Sequence, residues 1–208
     1  MSSLIDISPL ISHRIGVWPG DTSFSQQFLC TIEGGSNIDL SSVTTTMHLG
    51  AHADAPSHYV RGGVGIHLRD LSLYYGEAQV VSVDIERGAR IVPSDIFVDI
   101  SAPRVLFRTE SYPNPDQFSE DFCSLSPELI YFLAKKGVVL VGIDTPSVDP
   151  FSSKALESHQ AIASCNLAIL EGLVLSHVSP GIYRLIAFPL RIEHADATPV
   201  RAVLEKLN

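Results

Sequence analysis

From Leu167 to Leu175 the chain reads Leu-Ala-Ile-Leu-Glu-Gly-Leu-Val-Leu, an apolar run interrupted by a single carboxylate, Glu171. A run of this length and make-up predicts a buried strand. A carboxylate inside such a strand is costly to desolvate unless a proton or a cation sits beside it. A bound metal ion would remove that cost. Gly137 to Ile143 is a second short apolar run with the same strand reading. Neither approaches the ~18 apolar residues that a membrane-spanning helix needs.

These runs sit in a chain of 208 residues, 45% hydrophobic and 18% charged, which suits one domain over residues 1–208. Further strands are predicted at Phe28–Ile32, Leu40–Thr46, Ala78–Ile85, Arg104–Phe107, Val138–Ile143 and Leu185–Ile192, several of them rich in β-branched residues. The clearest helix is Pro127 to Lys136. Ser126 is its N-cap, Pro127 its first position, and Gly137 follows its end. A second helix is expected within Ser152 to Ala163. The proline-rich stretch Ser111 to Asp121 reads as a loop running over the surface. Strands outnumber helices, and the expected class is α/β, a mixed β-sheet core with flanking helices.

Charge and cysteine usage narrow the function classes. The formal net charge is -9 and no cluster of Lys or Arg is present, so nucleic acid and anionic membranes are poor candidates for partners. Cys30, Cys123 and Cys165 are scattered, without a CxxC pair, which fits reduced thiols and excludes a thiolate zinc site. The first residues lack a basic stretch followed by an apolar block, so a cytoplasmic location is expected.

The segment His48-Leu-Gly-Ala-His52-Ala-Asp54-Ala-Pro-Ser-His58 places three histidines and an aspartate within eleven residues. Gly50 and Pro56 oppose a continuous helix there. In an extended chain His52 and Asp54 would point to one face. Imidazole nitrogen with carboxylate oxygen suits zinc, manganese or ferrous iron. The small residues Gly50, Ala51, Ala53 and Ala55 would let the backbone wrap closely around an ion. His13, His67, His177 and His194 stand alone and take the ordinary reading of surface or hydrogen-bonded residues.

This segment resembles the HxGTHxDxPxH signature of the metal-dependent cyclase-like hydrolases, with Ala51 in place of Thr. Together with Val17-Trp18-Pro19-Gly20-Asp21-Thr22 it looks closest to the bacterial kynurenine formamidase (arylformamidase) branch. The likeness continues through Gly142-Ile143-Asp144-Thr145-Pro146-Ser147, Ser158-His159 and Ile169-Leu170-Glu171-Gly172. It implies a cyclase-like, swivelling β/β/α-type fold and two divalent ions per subunit, zinc first among them. His48, His52 and Asp54 would hold one ion; Asp54, His159 and Glu171 would hold the other. His58 would be the catalytic acid/base, and Trp18 would contact substrate. The implied reaction is hydrolysis of N-formyl-L-kynurenine to L-kynurenine and formate in tryptophan degradation, by water activated at the metal pair, in a homodimer.

Asp144 is expected to support the site rather than to bind metal. Arg14, Arg61 and Arg69 are candidate partners for a substrate carboxylate, though ordinary surface charge explains each as well. The nearest rival function is hydrolysis of another small amide, a cyclic imide or a lactone. A rival of another class is a non-catalytic metal- or metabolite-binding protein, which leaves His58 without a purpose. A Ser/His/Asp hydrolase lacks its GxSxG elbow.

Overall fold

The computed structural model describes residues 4–207. Among these, nine strands form one mixed sheet. Across the sheet they run β1 (Leu4–Asp6), β13 (Val203–Lys206), β11 (Gly181–Ile186), β5 (Tyr75–Ser82), β7 (Arg104–Arg108), β9 (Leu140–Ile143), β10 (Ala168–Glu171), β4 (His52–Asp54) and β12 (Ala197–Pro199). β5, β7, β9 and β10 are mutually parallel, and every other pairing is antiparallel. β2 (Ser25–Cys30) and β3 (Leu40–Thr44) form a separate hairpin. β6 (Arg90–Ile91) and β8 (Ser124–Leu125) make a short parallel pair. Three α-helices accompany the strands among the described residues: α1 (Pro56–Tyr59), α2 (Pro127–Lys135) and α3 (Glu157–Cys165).

The parallel strands are covered on both faces, which is why they read as continuous apolar runs rather than alternating ones. Val105, Phe107, Val141, Ile143 and Ile169 face Leu129, Ile130 and Leu133 of α2 and Ala161 and Ile162 of α3. Leu106, Leu140 and Leu170 face the opposite way, onto Ile7, Ala202 and Leu204. Each fully buried Leu or Ile stabilises this arrangement by ~1.5–3 kcal/mol. No described helix is long and apolar enough to cross a membrane.

The helix α2 begins as predicted. Ser126 Oγ accepts from Leu129 N at 3.1 Å, and Gly137 leaves at φ +84°. Elsewhere the boundaries move, for identifiable reasons. β10 stops at Glu171 instead of running to Leu175, because Gly172 turns away at φ +65°. The strand expected at Leu185–Ile192 lies earlier, at Gly181–Ile186, where Tyr183 and Leu185 point inward. The stretch after Ile186 contains Pro189, which cannot donate to a ladder. α3 begins only at Glu157, five residues into the predicted range, because Asp149 supplies the acceptors for its first turn. The short strands β1, β4, β6, β8, β12 and β13 carry too little pattern to stand out in the sequence.

Candidate metal centre

The pairing of β4 with β10 builds the centre. His52 lies opposite Glu171, and Asp54 lies opposite Ile169. Alternate residues of a strand share a face, so His52, Asp54 and Glu171 all project toward the helix layer. There α3 contributes His159. All four side chains are buried; His52 and Glu171 are 3% exposed, and Asp54 is 1% exposed. Ala53 and Leu170 turn to the opposite face and anchor the two strands in the apolar cluster.

One close contact sets the height of the His48–His52 loop over β10. A Cβ at Gly172 would lie 2.1 Å from the Gly50 carbonyl oxygen, so only glycine lets these backbones meet. That carbonyl in turn accepts from His52 Nδ1 at 2.9 Å. The His52 ring is thus aimed by a backbone contact that a methyl group on Gly172 would displace.

Three imidazoles follow the same plan. His52 gives Nδ1–H to Gly50 O and presents Nε2 to Glu171 Oε2 at 3.1 Å and Asp54 Oδ1 at 3.5 Å. His159 gives Nδ1–H to Asp149 Oδ2 at 2.8 Å and presents Nε2 to Asp54 Oδ2 at 3.5 Å and Glu171 Oε1 at 3.6 Å. His48 gives Nε2–H to Asp196 Oδ2 at 3.0 Å and presents Nδ1 to Asp54 Oδ1 at 3.1 Å. An imidazole fixed by one nitrogen and offering the other to a shared centre is the arrangement of a metal-ligating histidine.

The donor set fits a divalent cation. His52 Nε2 and both Asp54 carboxylate oxygens are buried with no hydrogen-bond partner among the described residues. Lone pairs of nitrogen and oxygen face one another at 3.1–3.6 Å, an arrangement that repels unless positive charge lies between them. Two groups have ligand atoms within 4.8 Å of each other: His52, Asp54 and Glu171, and His48, Asp54 and His58. Asp54 belongs to both, which suits a carboxylate shared between two ions. The grouping differs from the expected one: His52 joins Glu171, His58 lies within ligand reach of His48 and Asp54, and His159, though its Nε2 is 3.5 Å from Asp54, belongs to neither group.

In the metal-free chain, protons take the place of that positive charge. Burial works against a charged His48, but Asp54 and Asp196 outweigh it and hold the imidazole up to about 9. Burial likewise opposes charge on His159, and Asp149 and Asp54 raise it to about 10. Burial alone would raise the fully buried Asp54, but the His159 and His48 imidazoles facing it hold it well below the usual carboxylate range.

Asp149 and Asp196 are functional residues that the sequence does not single out. Asp149 accepts from Ser158 N and His159 N as well as from the His159 ring, so it caps α3 and aims its histidine together. Arg90 Nη1 closes the network with bonds to Asp149 Oδ1 at 3.0 Å and Ser158 Oγ at 2.8 Å. The one available signal was the ten-residue spacing of Asp149 ahead of His159 across Pro150. Asp144, in contrast, has its carboxylate filled by Thr109 N, Thr109 Oγ1 and Glu110 N, and it supports the loop after β7.

Over the centre lies a cavity of about 570 Å³ that His48, His52, His58, His159 and Glu171 line on one side. Trp18 lines it on another, with ring centroids 5.0 Å from Phe151 and 5.4 Å from Phe118. The segment 111–121, expected as a surface excursion, supplies Tyr112, Pro113, Pro115 and Phe118 to this wall. None of the three candidate arginines lines the cavity. Arg14 pairs with Asp116 at 3.1 Å, Arg69 binds Asn166 and the Leu167 carbonyl, and Arg61 is exposed.

Several solved structures share this fold. A potential metal-dependent hydrolase with cyclase activity superposes with a TM-score of 0.86 at 26% identity, covering 100% of both chains. A predicted metal-dependent hydrolase from Bacillus stearothermophilus gives 0.83 at 25% identity, covering 99% of this chain and 98% of its own. Isatin hydrolase A from Labrenzia aggregata gives 0.81 at 19% identity, covering 100% and 94%. The family model described as putative cyclase matches residues 5–150, the stretch that contains the histidine-rich segment, and the chain belongs to that cyclase family.

Proposed function

We propose that this chain hydrolyses N-formyl-L-kynurenine to L-kynurenine and formate, using two divalent ions, zinc the expected metal. The observation that carries the reading is the cavity itself, whose lining brings Trp18, Tyr112 and Phe118 together with a cluster of imidazoles and carboxylates. An aryl ring bearing a formamide needs both surfaces at once.

His48, His52, Asp54, His159 and Glu171 would hold the ions. Divalent ions at such a site acidify water and polarise a carbonyl oxygen. The chain's own residues do the rest. Trp18, Tyr112 and Phe118 line the cavity and would orient the aryl ring and exclude water from it, with Phe151 packed against Trp18. Water oxygen adds to the formyl carbon, the carbon–nitrogen bond breaks, and the departing aniline nitrogen takes up a proton. His58, its side chain 34% exposed and lining the cavity, would deliver that proton. The same reading implies a homodimer, which sedimentation checks directly.

The test is to incubate zinc-loaded protein with N-formylkynurenine and measure formate and kynurenine. Isatin, other cyclic imides and lactones run alongside, because isatin hydrolases share the fold and isatin is a cyclic aryl amide. Release of both products from the linear formamide supports the proposal. Turnover confined to the cyclic substrates overturns the substrate assignment, and no turnover of any compound favours a binding role.

A further inference from the structure

We propose that Asp196 is a positioning residue that ties the acid/base histidine, His58, to His48 in the metal centre. The proposal rests on the acid/base reading of His58 and goes beyond it. A single carboxylate oxygen, Asp196 Oδ2, accepts from His48 Nε2 at 3.0 Å and lies 3.4 Å from His58 Nδ1. The two rings lie side by side with centroids 4.2 Å apart. Both histidines line the cavity, and Asp196, its side chain 47% exposed, does not.

The backbone around Asp196 is anchored. Its carbonyl accepts from Ala55 N at 2.7 Å, and the next residue, Ala197, pairs with Asp54 in the β4–β12 register. The carboxylate is thus held next to the strand that carries His52 and Asp54, while His58 sits on a helix of only four residues. That short helix cannot fix a side chain by itself. Asp196 Oδ2 lies beside His58 Nδ1, and a proton held between them would leave Nε2 for the substrate and link the orientation of His58 to that of His48. If His48 holds an ion, the carboxylate that fixes its ring would be the one that also orients His58.

The experiment compares wild type with Asp196→Ala and Asp196→Asn, all zinc-loaded. Bound metal per chain, kcat, KM, and the tautomer of His58 from long-range proton–nitrogen correlations of its ring are measured. With free zinc held far enough above Kd to keep the centre filled in every variant, Asp196→Ala is expected to lower kcat by about 10–100-fold with KM within about twofold. His58 should change from one tautomer, protonated at Nδ1, to a mixture. Asp196→Asn, which retains an accepting oxygen, should recover part of the loss. Metal lost in proportion to kcat overturns the proposal and leaves Asp196 a support for ligation alone. An unmoved tautomer or an unchanged kcat overturns it as well.

If Asp196→Ala does not fold, the same readouts on Asp196→Asn decide. The substrate reading fails separately. Should the protein act on a cyclic amide or lactone instead of the formamide, that compound supplies kcat and KM. Should it act on none, the tautomer and the metal content of the zinc-loaded protein decide.

Discussion

His52 Nε2 and Glu171 Oε2 face each other 3.1 Å apart across the β4–β10 pair, the imidazole already committed through Nδ1 to the Gly50 carbonyl. Two acceptors held this close in a buried position are stable only with a positive charge between them. Replacing Glu171 should therefore empty the site. Glu171→Ala is expected to bind metal far below wild type and to lose the thermal stabilisation that metal confers. That stabilisation is ~2.7 kcal/mol when free metal is at 100 times Kd. Glu171→Gln keeps an acceptor for Val148 N, so it should fold while still losing affinity. Elemental analysis after gel filtration reads both, and an unchanged metal-to-protein ratio would count against ligation by Glu171.

His58→Ala separates proton transfer from metal holding. As an acid/base, its loss should lower kcat about 10²–10⁴-fold with metal content intact. Its position within ligand reach of His48 and Asp54 allows the other outcome. Parallel loss of metal and turnover would reassign His58 as a ligand.

Gly172→Ala changes no side chain of the centre yet should damage it. The added methyl group would meet the Gly50 carbonyl that holds the His52 ring, and a positive φ disfavours alanine at that position. A weakened metal affinity, about 10–100-fold by analogy with other outer partners of metal ligands, is the expected result. Equilibrium competition with a coloured chelator measures it, and wild-type affinity would contradict the role given to this contact.

Asp149→Ala removes a helix cap and the partner of His159 in one step. Cap loss alone costs ~1 kcal/mol, and the midpoint of thermal unfolding should fall by about 2–4 °C for each kcal/mol in a chain of this size. Calorimetry of the metal-free protein measures that loss together with the loss of the buried His159–Asp149 pair. Metal titration then shows the second effect, a lower affinity from an unfixed His159 ring.

The pH dependence of the metal-free chain has a definite sign. His48 and His159 are raised from the ordinary ~6.5 to about 9 and about 10. The stability their contacts give is full below about pH 6.5 and is lost as pH rises through those two values. Chelator-treated protein should therefore melt at progressively lower temperature between pH 7 and 10. Metal binding needs the same nitrogens deprotonated, so affinity should rise with pH and binding should release protons. Calorimetric titrations in buffers of different ionisation enthalpy count them.

Trp18→Ala should discriminate between substrates. Loss of the ring from a wall shared with Tyr112 and Phe118 removes ~0.5–1.5 kcal/mol for each aromatic contact with a bound arene. KM for an aryl formamide is expected to rise by about tenfold, with little change for a small alkyl formamide. Equal effects on both would place Trp18 in packing alone.

The local parts of the fold were legible in the sequence. Ser126-Pro127 and Gly137 bound a helix through capping and φ preferences that act within a few residues, and Val105, Leu106 and Phe107 mark a strand buried on both faces. His52 and Asp54 share a face because the strand period is two, a fact available before any tertiary contact. Glu171 stood out because an apolar run cannot bury a bare carboxylate. Its place opposite His52 depends on the β4–β10 register, which pairs residues over a hundred positions apart. The same holds for the Gly50–Gly172 contact and for Asp196, 148 residues from the His48 ring it fixes. Residue type and spacing marked His48, His52, Asp54, His58 and Glu171 as groups that could bind a cation, while His159 came only from the family resemblance. Only chain closure determined which oxygens stand behind the imidazoles, because hydrogen bonds between distant segments leave no periodic trace along the chain.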